Sequence, residues 1–104
     1  MNAAIAMARS YGLSIRFADL GDWGFDELRS EYDPHVPEIR LNVRIAEQLT
    51  AEELGDFVTL AVGHELYHHR ERIGEVVVLP DRVSREHAAN DFARALLHPP
   101  TSSP

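Results

Sequence analysis

The sequence predicts a small α+β domain, in which a short three-stranded antiparallel sheet packs on two helices. Three observations point there. Apolar and polar residues alternate over residues 13–17 and 38–43, the period of a half-buried strand. Residues 51–72 and 84–97 place their apolar side chains at helical spacing. Between these segments stand turn-formers: Gly12, the Gly21 and Gly24 pair, and the two-proline stretch from Asp33 to Pro37.

Residues 2–11 are alanine-rich and predict a short helix closed by Gly12, with Ile5 and Ala8 on its inner side. Leu13, Ile15 and Phe17 define the first strand. Gly21 to Gly24 predict a turn that carries Trp23, read as cover for the core edge. Residues 25–32 predict a second, more exposed strand, because Leu28, Ser30 and Tyr32 alternate with charged residues. Ile39, Leu41 and Val43 form the inward face of the third and best strand. Short turns joining consecutive strands predict a meander. Residues 44–49 connect to the long helix with about one helical turn. Residues 75–80, EVVVLP, predict a short strand or a loop packed on the core. The domain is expected to span residues 1–97, with 98–104 as a flexible tail.

The chemistry lies on the long helix. Thr50 and Glu53 form the capping-box pattern T-x-x-E, so the helix starts after Thr50. Leu54, Phe57, Val58 and Ala61 share one arc, and His64, Glu65 and His68 continue it. His64 and His68 are separated by about 40° on the wheel and can grip one metal ion. Glu65, between them, can act as general base toward a water on that metal. H-E-x-x-H on a helix is the zincin arrangement, so the domain is expected to be zincin-like. Two histidines hydrogen-bonded in a core are the plainer alternative.

A catalytic zinc needs a third protein ligand. The helix over residues 84–97, with Ser84 as its expected N-cap and Pro99 beyond its end, has an apolar face of Ala89, Ala93, Leu96 and Leu97, with Phe92 at the border. Glu86 sits in the middle of that face, where a carboxylate is costly unless it meets a cation. Asn90 shares the stripe and can orient a ligand. Asp91 lies on the opposite side, His87 lies off the face, and His98 lies at the frayed end. The expected metal set is therefore His64, His68 and Glu86, with Zn2+ as the ion and Glu65 as the catalytic base. Tyr67, Tyr32 and His35 are candidates for stabilising an oxyanion.

HELYH, followed by Glu86, Ala89, Asn90, Phe92, Ala93, Leu96, Leu97 and Pro99, resembles the ImmA/IrrE metallopeptidase family. The resemblance covers roughly residues 54–99. It implies a small gluzincin-like peptidase, with Glu86 as third ligand and a helix-turn-helix repressor as protein substrate.

The chain carries 10 Lys+Arg against 17 Asp+Glu, a net charge of -7. That balance argues against direct nucleic-acid binding through a basic face and suits a basic protein partner. With no cysteine, disulfides, cysteine-zinc sites and thiol catalysis are excluded. No apolar run reaches membrane length and no signal-peptide pattern appears, so a cytoplasmic location is expected. Two functions remain from these residues: a zinc metalloendopeptidase, or a non-catalytic domain that uses the metal for stability, sensing or partner binding.

Overall fold

A computed structural model describes residues 2–21 and 29–97. The elements run α1 (Ala3–Ser10), β1 (Ser14–Ala18), β2 (Ser30–Asp33), β3 (Glu38–Asn42), α2 (Val43–Ala46), α3 (Ala51–Arg72) and α4 (Arg82–Leu97). The expected turn around Trp23, the strand residues before Arg29, His98 and the expected tail lie outside the described residues.

The α+β class holds, but the sheet is mixed and not an antiparallel meander. Its order is β1-β3-β2, with β1 parallel and β2 antiparallel to β3. The physical reason is burial. Ile39 and Leu41 are fully buried, so β3 is the strand that gains most from having both edges paired. A meander would have put the polar SEYD strand in the centre instead. β2 and β3 are joined by a short turn, whereas 11 residues, 19–29, separate β1 from β2 in the sequence. On β3, Arg40 pairs with Glu31 and Asp33 of β2, which ties the register across the sheet. Val43, expected as the last inward strand residue, instead opens α2, where the Asn42 side chain accepts the Arg44 N–H at 3.1 Å.

The long helix α3 is the element on which α1, α4, β2 and β3 all pack. Its start is the full capping box: Thr50 Oγ1 accepts the Glu53 N–H at 3.2 Å, and Glu53 Oε1 accepts the Thr50 N–H at 2.9 Å. Its end is Gly74, at φ +79°, a left-handed conformation that glycine adopts without strain. Ala4 and Ala8 of α1, Leu13, Ile39, Leu41, Val62 and Leu66 make up the innermost core, each no more than 2% exposed. Small residues in α1 let that helix approach closely, and Asn2 Nδ2 donates to Thr59 Oγ1 at 2.7 Å across the contact.

Two further expectations change. α4 begins at Arg82, before Ser84. The Asp81 carboxylate accepts both the Ser84 N–H and the Ser84 hydroxyl, each at 2.7 Å, so the capping acceptor is Asp81. The valine run is neither strand nor core: Val77 is 78% exposed and Val78 is 52% exposed. β-propensity orders a segment only where a partner strand is available, and this one pairs with none of the described strands.

α3 and α4 approach closely at Gly63. A Cβ there would lie 2.9 Å from both Cα and Cβ of Ala93. Gly55, on the same helix, has open space around it. Alanine at either position gains about 1 kcal/mol of helix propensity. At Gly63 that gain is set against overpacking of about 1–3 kcal/mol. Thermal melts of Gly63→Ala and Gly55→Ala are therefore expected to shift in opposite directions, the first down and the second up.

Candidate metal centre

The close crossing at Gly63 sets the distance between the two helices that carry the candidate ligands. His64 and His68 lie one turn apart on α3, and Glu86 faces them from the second turn of α4. The two Nε2 atoms are 3.2 Å apart. Glu86 Oε2 lies 3.0 Å from each of them. One ligand atom from each of His64, His68 and Glu86 can therefore face a common point, and the group could hold a metal ion. Bonds of about 2.0–2.1 Å in a tetrahedral site require ligand atoms about 3.3 Å apart, so this triangle needs only slight expansion around an ion.

The other ring nitrogens decide which atoms face the centre. His64 Nδ1 lies 2.8 Å from Asn90 Oδ1, and His68 Nδ1 lies 2.6 Å from Glu71 Oε1. An imidazole nitrogen beside such an oxygen carries the proton and donates it. In the neutral ring, Nε2 is then left as a bare lone pair. Two such lone pairs and a carboxylate oxygen at 3.0–3.2 Å from one another repel unless a cation or a proton joins them.

Glu71 joins the site without having been expected there, although its signal is present in the sequence. It lies one turn past His68 on the same stripe, as HExxHxxE. Its side chain is 3% exposed, and it also accepts from Arg85 Nε at 3.2 Å. Burial opposes its ionisation, but Arg85 and His68 outweigh that and hold its pKa below the ordinary carboxylate value. Arg85 is the neighbour of Glu86, so the contact also fixes the first turn of α4 against α3.

Glu65 is buried beside the cluster and accepts the Ser30 hydroxyl on Oε2 at 2.7 Å. Burial raises its pKa; the Ser30 hydrogen bond and the two histidines offset part of that rise. Ser30, the first residue of β2, is a contact that only the folded chain brings about, and no local sequence pattern marks it. His64, Glu65, Ser30 and Asn90 are among the residues that line a cleft of about 450 Å³.

The competing candidates fall away. His87 is exposed, and Asp91 is 74% exposed in a pair with Arg94. Of the candidate oxyanion donors, Tyr32 is bonded through its hydroxyl to His69 Nδ1 at 2.6 Å. His35 is exposed in the hairpin turn, where its N–H donates to Asp33. Tyr67 packs edge-on to the His68 ring and against Phe92. None of the three lines the cleft.

Among the described residues, no helix is long and apolar enough to cross a membrane. Comparison with protein families, with curated proteins and with solved structures gives no match for this chain.

Two measurements test this geometry. Glu71→Gln removes the charged acceptor that orients His68, and metal affinity is expected to fall about tenfold or more in a competition titration. His68 gives the pH dependence. Burial lowers its pKa, but Glu71 and Glu86 together outweigh burial and raise it above the ordinary value. The metal-free protein thus gains stability from protonated His68 below the ordinary histidine pKa, and loses it as pH rises through the raised value. A metal takes the neutral ring, so binding at about pH 6.5 releases protons. The apparent binding enthalpy is expected to vary with the ionisation enthalpy of the buffer.

Proposed function

We propose that this chain is a zinc-dependent metallopeptidase of zincin-like design, in which His64, His68 and Glu86 hold the metal and Glu65 is the general base. The observation that supports it most is the convergence of two imidazole Nε2 atoms and one carboxylate oxygen, with both Nδ1 atoms already committed to acceptors. Two imidazoles and a carboxylate suit zinc, and three protein ligands leave one position open. Zinc bound there supplies a Lewis acid that polarises a carbonyl and makes a water acidic near neutral pH.

The chain's own residues do the rest. Burial raises the pKa of Glu65, which suits a group that must take a proton from the attacking water and pass it to the leaving amine nitrogen. The Ser30 hydroxyl occupies Oε2 and fixes the carboxylate, leaving Oε1 for that proton. Asn90 and Glu71 set the two imidazole planes. β2 is an edge strand, and its first residue touches the base. An extended peptide lying along that edge could take main-chain hydrogen bonds there. The resemblance in residues 54–99 suggests a specific regulatory protein as substrate, such as a helix-turn-helix repressor, and a cytoplasmic setting.

Glu65→Gln tests the assignment against a non-catalytic metal-stabilised domain. The variant is expected to retain zinc as the native chain does. It is also expected to cleave a proteome-derived peptide mixture at least about a hundredfold more slowly, read by mass spectrometry. Unchanged cleavage would remove Glu65 from the mechanism, and zinc binding without cleavage by the native chain would favour the non-catalytic domain.

A further inference from the structure

The cleft beside Glu65 has a charge that the rest of the chain does not. The protein carries a net -7. Yet apart from His64 and Glu65, the charged residues of the cleft lining are Arg29 and Arg94. Both are exposed. Arg94 pairs with Asp91 at 2.7 Å, with side chains 61% and 74% exposed, a contact that solvent screens and a ligand can exchange. Arg29 forms no ion pair among the described residues. Beside Ser30 and Asn90, the rest of the lining is apolar: Phe57, Leu60, Ala61 and Ala93.

The two arginines are placed by the same elements that place the site. Arg29 directly precedes Ser30, which holds Glu65. Arg94 stands one helical turn past Asn90, which holds His64. A group bound by them therefore shares the cleft with His64 and Glu65.

We infer that this cleft selects peptides carrying a carboxylate next to an apolar side chain, the carboxylate held by Arg29 and Arg94 and the apolar group by the Phe57–Leu60 wall. Guanidinium groups match carboxylates in shape and charge. Cleavage of the bound peptide rests on the peptidase reading; its binding does not. The carboxylate has two possible sources, an Asp or Glu side chain within the substrate or its C-terminus.

Binding is measured first, on the zinc-loaded Glu65→Gln chain, which does not turn the probe over. Fluorescein-labelled peptides containing Leu-Glu are compared with otherwise identical Leu-Gln and Leu-Lys peptides, each as free acid and as C-terminal amide. The Leu-Glu peptide is expected to bind at least about fivefold more tightly than Leu-Gln, and Arg29→Glu with Arg94→Glu is expected to abolish or reverse that preference. Preference retained in the amide identifies an internal acidic residue; preference that follows the free acid identifies the C-terminus. Zinc retention and a native melt show that the reversed variant is folded. Equal binding of all peptides, no binding, or a preference unchanged by charge reversal overturns the inference. The native chain is then given the same peptides. Acid-selective binding without cleavage leaves the inference standing and counts against the peptidase reading; cleavage without acid preference overturns the inference alone.

Discussion

The arrangement depends on one electrostatic constraint: three electron-pair donors from two helices meet at a point, and a cation or a proton must join them. Asn90 and Glu71 orient His64 and His68 through their other nitrogens. Arg85, beside Glu86, is held by the same buried Glu71, which keeps the first turn of α4 against α3. A cation converts this repulsion into a tie between α3 and α4. Without one, a proton on His68 relieves it; against burial, Glu71 and then Glu86 favour that proton and raise the pKa of the ring.

The rest of the fold holds this meeting point in place. Gly63 permits the close approach of the helices at Ala93. Arg70 lies over the Phe92 ring at 5.2 Å and Tyr67 packs on the same ring, so the crossing is closed on that side as well. α1, β2 and β3 pack on α3 as well. The mixed strand order puts β2 at an edge and brings Ser30 to Glu65. In a meander with β2 at the centre, the strand with the most buried apolar surface would have been at an edge.

Much of the site is legible in the sequence because helical periodicity is local. Thr50 with Glu53, the arc ending in His64, Glu65 and His68, the misplaced carboxylate of Glu86 and the supporting role of Asn90 all follow from 100° steps along two segments. Glu71 is legible by the same steps, once the stripe is continued one turn beyond His68. The sheet is less so, since strand order depends on which edge is best buried, a property of the whole chain and not of a segment. Ser30, Arg29 and Arg94 meet the site only through tertiary packing. The valine run departs from its expected form because β-branched composition is not sufficient without a partner strand. Asp81 displaces Ser84 as cap because a carboxylate can accept from Ser84 twice.

The central claim is that the convergence of His64, His68 and Glu86 is a metal site. The most direct measurement is zinc retained per chain after exhaustive dialysis, comparing the native protein with Glu86→Ala. The account predicts about one zinc per native chain and little or none in the variant. Equal zinc in both proteins, or none in either even after zinc is supplied, would contradict it.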